Sequence, residues 1–471
     1  MFHCSNSGTK TKASLDVLHK HGPCSQLNNG KAKIVPTHSD ILDHDKERVN
    51  YIHSKLLSSK NNLEGLDSKS IKSRKSANLP AKSGSLIGSG NYFVVLGLGT
   101  PKKDLSLIFD TGSDLTWTQC QPCVGSCYKQ QDEIYDPSKS TSYYNITCTS
   151  SDCTQLSSAT GIYYYIIKIR KKIIYLFCYI IIIGILISFK KIIIITGNDP
   201  RCAKVSNACI YGIQYGDQSF SVGYFSRERL TVMPTDAIDG FLFGCGQDNE
   251  GLFGGSAGLL GLGRHPISFV QQTSQKYQKT FSYCLPSTSS GVGHLTFGAS
   301  DNKYVKYTSF STVSRSNSFY GLDIAGISVG GTKLPISSSI FSSGGAIIDS
   351  GTVITRLPPT AYASLRDYFK KGMTKYPVAP AVSILDTCYD LSGYKIVSIP
   401  KISFFLGGGV TVEIAAPGIL YVASLKQACL AFSPNGDDSD ITIFGNVQQR
   451  TLEVVYDVGG GKIGFGSNGC K

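Results

Sequence analysis

Residues 105–113 read LSLIFDTGS, and a shorter version of the same pattern, AIIDSGT, returns at residues 346–352. In each copy an apolar run leads into an aspartate, Asp110 or Asp349, and then into a hydroxyl residue and a glycine. One such turn is common and carries little information. Two copies in the same setting predict two related halves of the chain, each presenting one carboxylate.

Two carboxylates held close together have a distinctive chemistry. They cannot both stay ionised in a site of reduced dielectric, so the pair shares one proton over a broad acidic range. The ionised member can take a proton from a water molecule while the protonated member hydrogen-bonds a substrate carbonyl. Asp110 and Asp349 are therefore the candidate catalytic residues, and this chemistry requires neither a metal nor a cofactor.

The neighbours of the two aspartates fit a supporting role. Glycine after each pair, Gly112 and Gly351, allows a tight turn and a close approach of the two loops. The hydroxyl groups can bond the carboxylates or the facing loop and hold them in place, and these residues are Thr111, Ser113, Ser350 and Thr352.

The composition favours a mainly β protein. The chain has 471 residues, of which 50 are glycine, and helical periodicity is scarce. This length predicts two or three structural units built from many short strands with glycine-rich turns. The two helix candidates are residues 41–57 and 359–373, the second starting at a proline.

The positive charge of the chain is confined to two segments. Residues 1–85 carry 14 Lys or Arg against 7 Asp or Glu, and residues 162–196 carry six Lys or Arg and no acid. Together they account for the whole formal charge of +13. The rest is formally neutral, which argues against nucleic-acid binding. We interpret residues 1–80 as a basic pro-segment, before which an apolar signal sequence is missing.

Cysteine usage points to an oxidising compartment. Twelve of the fifteen cysteines lie outside the pro-segment and the 162–196 segment, enough for six disulfides. The twelve are Cys120, Cys123, Cys127, Cys148, Cys153, Cys202, Cys209, Cys245, Cys284, Cys388, Cys429 and Cys470. A zinc cluster at the first three is an alternative, although no histidine lies near them. A glycosylation sequon at Asn145 also agrees with secretion.

Residues 162–196 do not match their surroundings. Isoleucine fills 16 of these 35 positions, and residues 173–189 are free of charge. Alone the segment resembles a marginal membrane span. It interrupts a cysteine-rich region, however, and its commonest residue types, Ile, Lys, Tyr, Phe and Leu, can all be encoded by codons made only of A and T. We hypothesise a retained intron, which sequencing the transcript across residues 160–198 would test.

The motifs together resemble the pepsin-like aspartic proteases, and specifically their plant nepenthesin-type branch. The matching stretches are FDTGSDLTW at 109–117 and IDSGT at 348–352, each followed later by an apolar-apolar-Gly strand, GLLGLG at 258–263 or IFGN at 443–446. The cysteine-rich stretch 120–209 resembles the insertion of that branch. The resemblance covers roughly residues 88–470.

The resemblance implies a mainly β, two-lobed pepsin-like fold with the active site in the cleft between the lobes. We expect the N-terminal lobe at 88–305 and the C-terminal lobe at 306–471. The motif YGDQS at 215–219 is similar to the family's flap, which makes Tyr215 and Gly216 candidate substrate-binding residues. Trp117 is expected behind the flap, where it can bond Tyr215. Cys388 and Cys429 resemble the family's second-lobe disulfide.

The function implied is an aspartic endopeptidase with an acid pH optimum, made as a zymogen. Its partners would be polypeptide substrates and its own pro-segment, whose lysines we expect to neutralise the acidic cleft. We expect a monomer in the secretory pathway, the cell wall space or the vacuole. Two alternatives remain: a catalytically silent inhibitor of cell-wall hydrolases on the same fold, and a membrane-anchored protein that uses 162–196 as its span.

Overall fold

The computed structural model describes residues 13–19, 37–61, 92–160, 202–203, 206–215, 219–251, 253–288, 290–298, 304–311, 317–424 and 426–470. The 162–196 segment lies outside these ranges, and so do the membrane-span and retained-intron hypotheses that concern it. Within the described ranges, none of the helices combines the length and the hydrophobicity that a membrane span requires.

Strands dominate the described residues, as the composition predicted. They are β1 Ala13–His19, β2 Tyr92–Leu98, β3 Lys103–Asp110, β4 Trp117–Gln119, β5 Tyr144–Asn145, β6 Ile210–Gln214, β7 Phe220–Met233, β8 Asp236–Glu250, β9 Gly258–Gly261, β10 Thr280–Cys284, β11 Val292–Phe297, β12 Lys306–Ser309, β13 Tyr320–Leu322, β14 Ile324–Val329, β15 Thr332–Lys333, β16 Ala346–Ile348, β17 Thr355–Leu357, β18 Val378–Ala379, β19 Cys388–Tyr389, β20 Ile402–Leu406, β21 Val410–Ile414, β22 Leu420–Ser424, β23 Gln427–Leu430, β24 Phe432–Pro434, β25 Thr442–Phe444, β26 Glu453–Asp457 and β27 Lys462–Gly466.

Helices are fewer and mostly short. They are α1 His38–Asn61, α2 Ser151–Thr160, α3 Phe269–Gln272, α4 Ser274–Tyr277, α5 Ser339–Gly344, α6 Pro359–Gly372, α7 Ala416–Ile419 and α8 Asn446–Gln449. Both predicted helices are confirmed, as α1 and α6. In α6 the proline occupies the first turn, where its missing N–H costs no hydrogen bond.

One large sheet organises the first half and joins it to the end of the chain. Its fourteen strands include the path β12-β27-β26-β10-β11-β1-β2-β3-β9-β4-β8-β7-β5, with β6 paired to β7. The last two strands of the chain, β26 and β27, lie next to β10 and β12. The predicted boundary between residues 305 and 306 falls at the start of β12, which pairs with the last strand of the chain. The boundary itself stays a prediction.

The N-terminal residues that we interpreted as a pro-segment contribute one strand to this sheet. Strand β1 pairs antiparallel with β11 along six residue pairs, and its last two residues pair with the start of β2. Alternate side chains of β1 point inward, so Ala13, Leu15 and Val17 are buried. This strand was not predicted from the sequence.

The two aspartates occupy equivalent positions in the two halves. In the first half, β3 runs parallel to β9 with Asp110 opposite Gly261, and β4 crosses the same β9 in the antiparallel sense. In the second half, β16 runs parallel to β25 with Ile348 opposite Phe444, and β17 meets β25 in the antiparallel sense. In each half, the apolar-apolar-Gly strand therefore lies between the strand that leads to the aspartate and the next strand along the chain. The two halves share this arrangement, which confirms the predicted duplication.

All twelve predicted cysteines form disulfides. The pairs are Cys120–Cys245, Cys123–Cys127, Cys148–Cys202, Cys153–Cys209, Cys284–Cys470 and Cys388–Cys429. The zinc alternative for the first three cysteines is wrong because each of their sulfurs is already bonded to another sulfur. The last pair is the one that the resemblance implied.

Candidate active site

The two aspartates meet at one cation, the guanidinium of Arg48. Its Nη2 donates to Asp110 Oδ1 at 2.7 Å and lies 2.9 Å from Asp349 Oδ2. Its Nε donates to Asp349 Oδ2 at 3.0 Å, and Nη2 also donates to Asp349 Oδ1 at 3.0 Å. Because one side chain reaches both carboxylates, the two loops lie face to face. Arg48 belongs to α1, so an N-terminal part of the same chain covers the pair.

The loops that carry the aspartates are bonded to each other in a reciprocal way. The backbone N–H of Thr111 donates to Ser350 Oγ at 3.1 Å, and the backbone N–H of Ser350 donates to Thr111 Oγ1 at 2.9 Å. Each hydroxyl therefore accepts from the opposite loop, as the flanking residues suggested. These bonds fix the separation of the two carboxylates independently of the pro-segment.

The two glycines are required by this close approach. A Cβ on Gly112 would lie 2.7 Å from Asp349 Oδ1, and one on Gly351 would overlap Arg48 and lie 2.7 Å from Asp110 Oδ1. Each glycine N–H also donates to the carboxylate that precedes it, at 2.9 Å for Asp110 and 3.0 Å for Asp349. Any larger residue would push the loops apart.

The remaining two hydroxyls differ. Thr352 Oγ1 donates to Asp349 Oδ2 at 2.5 Å, as expected. Ser113 Oγ is buried beside Asp110 and helps to lower the pKa of that carboxyl, and its supporting role stays a prediction. Asp110 Oδ2 is buried and accepts no bond of ordinary hydrogen-bond geometry among the described residues. The first carboxylate is thus held by fewer bonds than the second.

Burial and charge push the pKa values of the two carboxyls in opposite directions. Burial alone would raise the pKa of Asp110, but the charge of Arg48 and the Gly112 N–H hold it below its usual value. For Asp349, burial and the neighbouring Asp110 outweigh Arg48 and raise the pKa above its usual value. The pair therefore favours one ionised and one protonated carboxyl, which is the state that acid-base hydrolysis needs.

A second ionic contact anchors α1 beside the pair. Asp45 lies one helical turn before Arg48, and its carboxylate accepts from the backbone N–H groups of Val353 at 2.5 Å and Ile354 at 3.1 Å. It also accepts from Arg356 Nη2 at 2.9 Å. Both side chains of this ion pair are almost completely buried, at 0% and 3% exposure.

Apolar residues complete the contact of α1 with the second half. Leu42 packs in a buried cluster with Ile354, and Val49 and Ile52 pack in another with Ile443. These residues recur every three to four positions, so they form one face of the helix together with Asp45 and Arg48.

The predicted flap forms a hairpin over the first half. Strands β6 and β7 pair antiparallel up to Gln214 and Phe220. Trp117 Nε1 donates to the Tyr215 hydroxyl at 2.7 Å, which is the predicted contact. Phe253 packs edge-on against both rings. Gly216 lies outside the described residues, so its expected role stays a prediction.

The last candidate sites lie away from the cleft. Asn145 is exposed in β5, and its side chain accepts from Tyr143 at 2.6 Å and Ser226 at 3.0 Å. Its glycosylation stays a prediction. Within the described residues no group of three or more His, Cys, Asp or Glu is placed to hold a metal ion.

Sequence reasoning missed two of the charged residues of α1, Asp45 and Arg48. It expected lysines to neutralise the cleft, whereas the residue between the carboxylates is Arg48. A planar guanidinium has several N–H donors in a fixed fork and reaches two carboxylates at once, which a lysine does less well. The signal was available: Asp45 and Arg48 lie on the same face as the apolar residues of α1.

These features define a class: a two-lobed, mainly β fold with one aspartate loop per lobe, of the pepsin-like type. The sequence families described as Xylanase inhibitor N-terminal and C-terminal match residues 92–299 and 319–467. An aspartyl protease family protein of Arabidopsis thaliana is 55% identical over 468 residues, covering 99% of this chain and 89% of that protein. The chain therefore belongs to the plant aspartyl protease family.

More distant relatives agree with this placement. Nepenthesin-1, an aspartic proteinase of Nepenthes gracilis, is 33% identical over 395 residues, covering 81% of this chain and 79% of that protein. Among solved structures, basic 7S globulin from soybean matches with a TM-score of 0.58 at 18% identity, covering 80% of this chain and 94% of that chain. The structure titled edgp matches with a TM-score of 0.60 at 18% identity, covering 82% and 93%. At this identity the structural matches show the fold alone.

Proposed function

We propose that this protein is an aspartic endopeptidase that hydrolyses polypeptides with a water molecule activated between Asp110 and Asp349. The observation that carries the proposal is the pairing of both carboxylates on a single nitrogen of Arg48, at 2.7 and 2.9 Å. When Arg48 leaves, the two carboxylates remain in the geometry that their own loops impose. The cation occupies the place where a water molecule would be activated.

The chemical roles follow from two close carboxyls that share one proton. When Arg48 leaves, its charge no longer lowers the pKa of Asp110, and one member of the pair is ionised while the other is protonated. The ionised member takes a proton from water, and the protonated member donates a hydrogen bond to the scissile carbonyl and polarises it. Water then attacks the carbonyl carbon directly, and no covalent enzyme intermediate forms. Because the carboxyls interact strongly, they titrate as a pair.

The pro-segment supports the zymogen part of the proposal. Arg48 lies within hydrogen-bond distance of both carboxylates, so no substrate carbonyl or water can reach them while α1 is in place. Strand β1 adds a second attachment at the large sheet. We propose that the pro-segment inhibits the enzyme of which it is part and that acid releases it by protonating the carboxylates.

The alternative of a silent inhibitor is less well supported. The matching family descriptions name a xylanase inhibitor, and the 18%-identical solved structures include seed globulins. In this chain, however, both aspartates, both glycines and the reciprocal Thr111–Ser350 bonds are present. A binding protein would have no need for a carboxylate pair that a pro-segment covers.

Compartment and oligomeric state are part of the proposal. Six disulfides favour an oxidising compartment, so we propose the secretory pathway, the cell wall space or the vacuole. Each half presents one of the two loops, so a single chain completes the site and we propose a monomer.

The test is digestion of haemoglobin by the acid-treated protein at pH 3–5, with and without the aspartic protease inhibitor pepstatin. We expect digestion that pepstatin blocks and that Asp110→Asn abolishes. Asp239→Asn, at an exposed aspartate, is the matched control and should digest normally. Pepstatin-resistant digestion, or digestion by Asp110→Asn, would refute the proposal. No digestion by the folded, acid-treated wild type would favour the inhibitor.

A further inference from the structure

The carboxylate of Asp45 occupies a built anion site in the second half. Three donors converge on it: the backbone N–H groups of Val353 and Ile354 and the guanidinium of Arg356. The three donors come from residues 353, 354 and 356, in the loop and strand that follow Asp349. The acceptor alone comes from the pro-segment.

The donors hold their positions without the pro-segment. Arg356 lies in β17, whose backbone is fixed by pairing with β24 and β25. Its Nη1 donates to the carbonyl of Ile354 at 3.1 Å, which orients the guanidinium. Among the described residues, Asp45 is the only carboxylate within ion-pair distance of Arg356. The site is therefore made by the second half and filled by the pro-segment.

Removal of α1 leaves this cation and two N–H donors without their acceptor. A buried cation that loses its only anion carries a large free-energy cost unless water or another anion replaces it. An ionised carboxylate that accepts from several N–H donors is among the strongest hydrogen-bonded pairs in proteins. A substrate with a carboxylate at this place would recover the contacts that Asp45 made.

The site lies within reach of the scissile bond. Asp45 and Arg48 are three residues apart on one helix, which corresponds to about 4.5 Å along the helix axis. An extended peptide advances about 3.3 Å per residue. A side chain one or two residues away from the bond held between Asp110 and Asp349 can therefore reach the anion site.

Resting on the proposed peptidase function, we propose that Arg356, with the Val353 and Ile354 N–H groups, is a specificity subsite for an acidic side chain of the polypeptide substrate. The side chain is an aspartate or glutamate within about two residues of the scissile bond. The pro-segment closes the enzyme by placing Arg48 on the catalytic carboxylates and Asp45 in this subsite at the same time.

The test compares pairs of internally quenched peptides that differ only by Asp or Asn at one position, scanned over four positions on each side of the cleaved bond. The full chain is first activated by acid and then assayed at about pH 5, where a free aspartate is ionised. We expect kcat/KM to be about tenfold higher for the Asp peptide at one position near the bond. The wild-type scan decides the question by itself.

Two variants identify the residue responsible. Arg356→Gln should reduce the Asp-to-Asn ratio of kcat/KM to about one, and Arg356→Lys should retain part of it because the charge remains without the fork. Arg366→Gln, at a partly exposed arginine of α6 in the same half, is the matched control and should keep the full ratio.

The two levels of the proposal fail in different ways. Cleavage of all peptides with a ratio near one at every position would overturn the acidic subsite and leave the peptidase function standing. A preference for Asp that persists in Arg356→Gln would overturn the assignment to Arg356. Failure to cleave any peptide would overturn the peptidase function, and the subsite with it.

Discussion

The two aspartate loops have the same pattern of strand pairing but are held very differently by α1. The first loop receives one hydrogen bond from α1, from Arg48 to Asp110. The second receives two from Arg48, and the residues that follow it donate three hydrogen bonds to Asp45 of α1. The apolar face of α1 also packs on the second half.

This difference between the loops shows that the loops and α1 have separate tasks. The duplicated loops build the carboxylate pair, and their reciprocal hydrogen bonds make the pair symmetric in its backbone. Helix α1 is anchored on the second half and contacts the aspartate loop of the first half through the side chain of Arg48. Release of α1 from the second half should therefore be the step that opens the site.

Among the contacts of α1 and of the loops, the one whose removal should change activity most is the Arg48 cation between the two aspartates. Arg48→Met should raise the activity of the full precursor at about pH 5.5 on the order of 10²-fold, because a buried charge pair that loses one partner is strongly destabilised. The measurement is peptide cleavage by the precursor before any processing. Lys46→Met, at an exposed position of the same helix, is the matched control and should remain closed.

The pH dependence of opening has a definite sign. The pKa of Asp110 is lowered from 3.8 in the closed form, so the Arg48–Asp110 contact stabilises that form above about pH 3.8 and is lost as the pH falls through the lowered value. The pKa of Asp349 is raised, so this carboxyl stays protonated above pH 3.8, and its ionisation at higher pH destabilises the form in which α1 covers the pair. We expect the wild-type precursor to open below about pH 4, measured by protease sensitivity of residues 37–61 across the pH range. Opening that is independent of pH would contradict this assignment.

The next effect should come from the anchor on the second half. Asp45→Asn keeps the side-chain shape but removes the charge that faces Arg356, which should weaken the binding of α1 by about 2 kcal/mol. A synthetic peptide of residues 37–61 should then inhibit the activated enzyme about 30-fold less well. Glu47→Gln is exposed on the same helix and should inhibit like the wild-type peptide. If the Asp45→Asn peptide inhibited as well as the wild-type peptide, Asp45 would not anchor α1.

A smaller effect is expected from the bonds between the loops. Thr111→Val and Ser350→Ala each remove a hydroxyl that accepts from the opposite loop, at a cost of about 1–2 kcal/mol. Urea unfolding of the activated enzyme should show lower midpoints for both. Ser343→Ala, at an exposed serine of α5, is the matched control. A midpoint lowered as much by Ser343→Ala would show that the reciprocal bonds do not specifically stabilise the enzyme.

The smallest effect is expected at the flap. Tyr215→Phe removes the bond from Trp117, worth about 1 kcal/mol, and should lower kcat/KM roughly fivefold. Tyr144→Phe, at an exposed tyrosine, should leave kcat/KM as it is. Normal kinetics in Tyr215→Phe would mean that Trp117 does not position the flap.

The sequence predicted the features that repeat or that carry a strong local signal. The duplicated aspartate loops, the strands inserted beside them and the proline-started helix α6 were all found from short patterns. Cysteine counting predicted six disulfides but not most of their partners, because pairing depends on which strands lie side by side. Cys120 and Cys245, for example, are 125 residues apart and meet only through the sheet.

Long-range contacts of the pro-segment were beyond the sequence. Strand β1 pairs with residues 292–297, and the sequence of its seven residues does not predict which strand it pairs with. The lysines of residues 1–85 drew attention by number, whereas the cation between the two carboxylates is one arginine. Charge counting shows where cations are abundant, and only packing shows which one is buried.

The central claim is that Asp110 and Asp349 act as one unit, and the most direct measurement is a double-mutant cycle. We would measure kcat/KM of the acid-activated enzyme for Asp110→Asn, Asp349→Asn and the double variant on one peptide. We predict a loss on the order of 10³-fold or more in each single variant and little further loss in the double variant, because either change alone destroys the shared-proton site. Substantial activity in either single variant, or a double loss equal to the product of the two, would contradict the account.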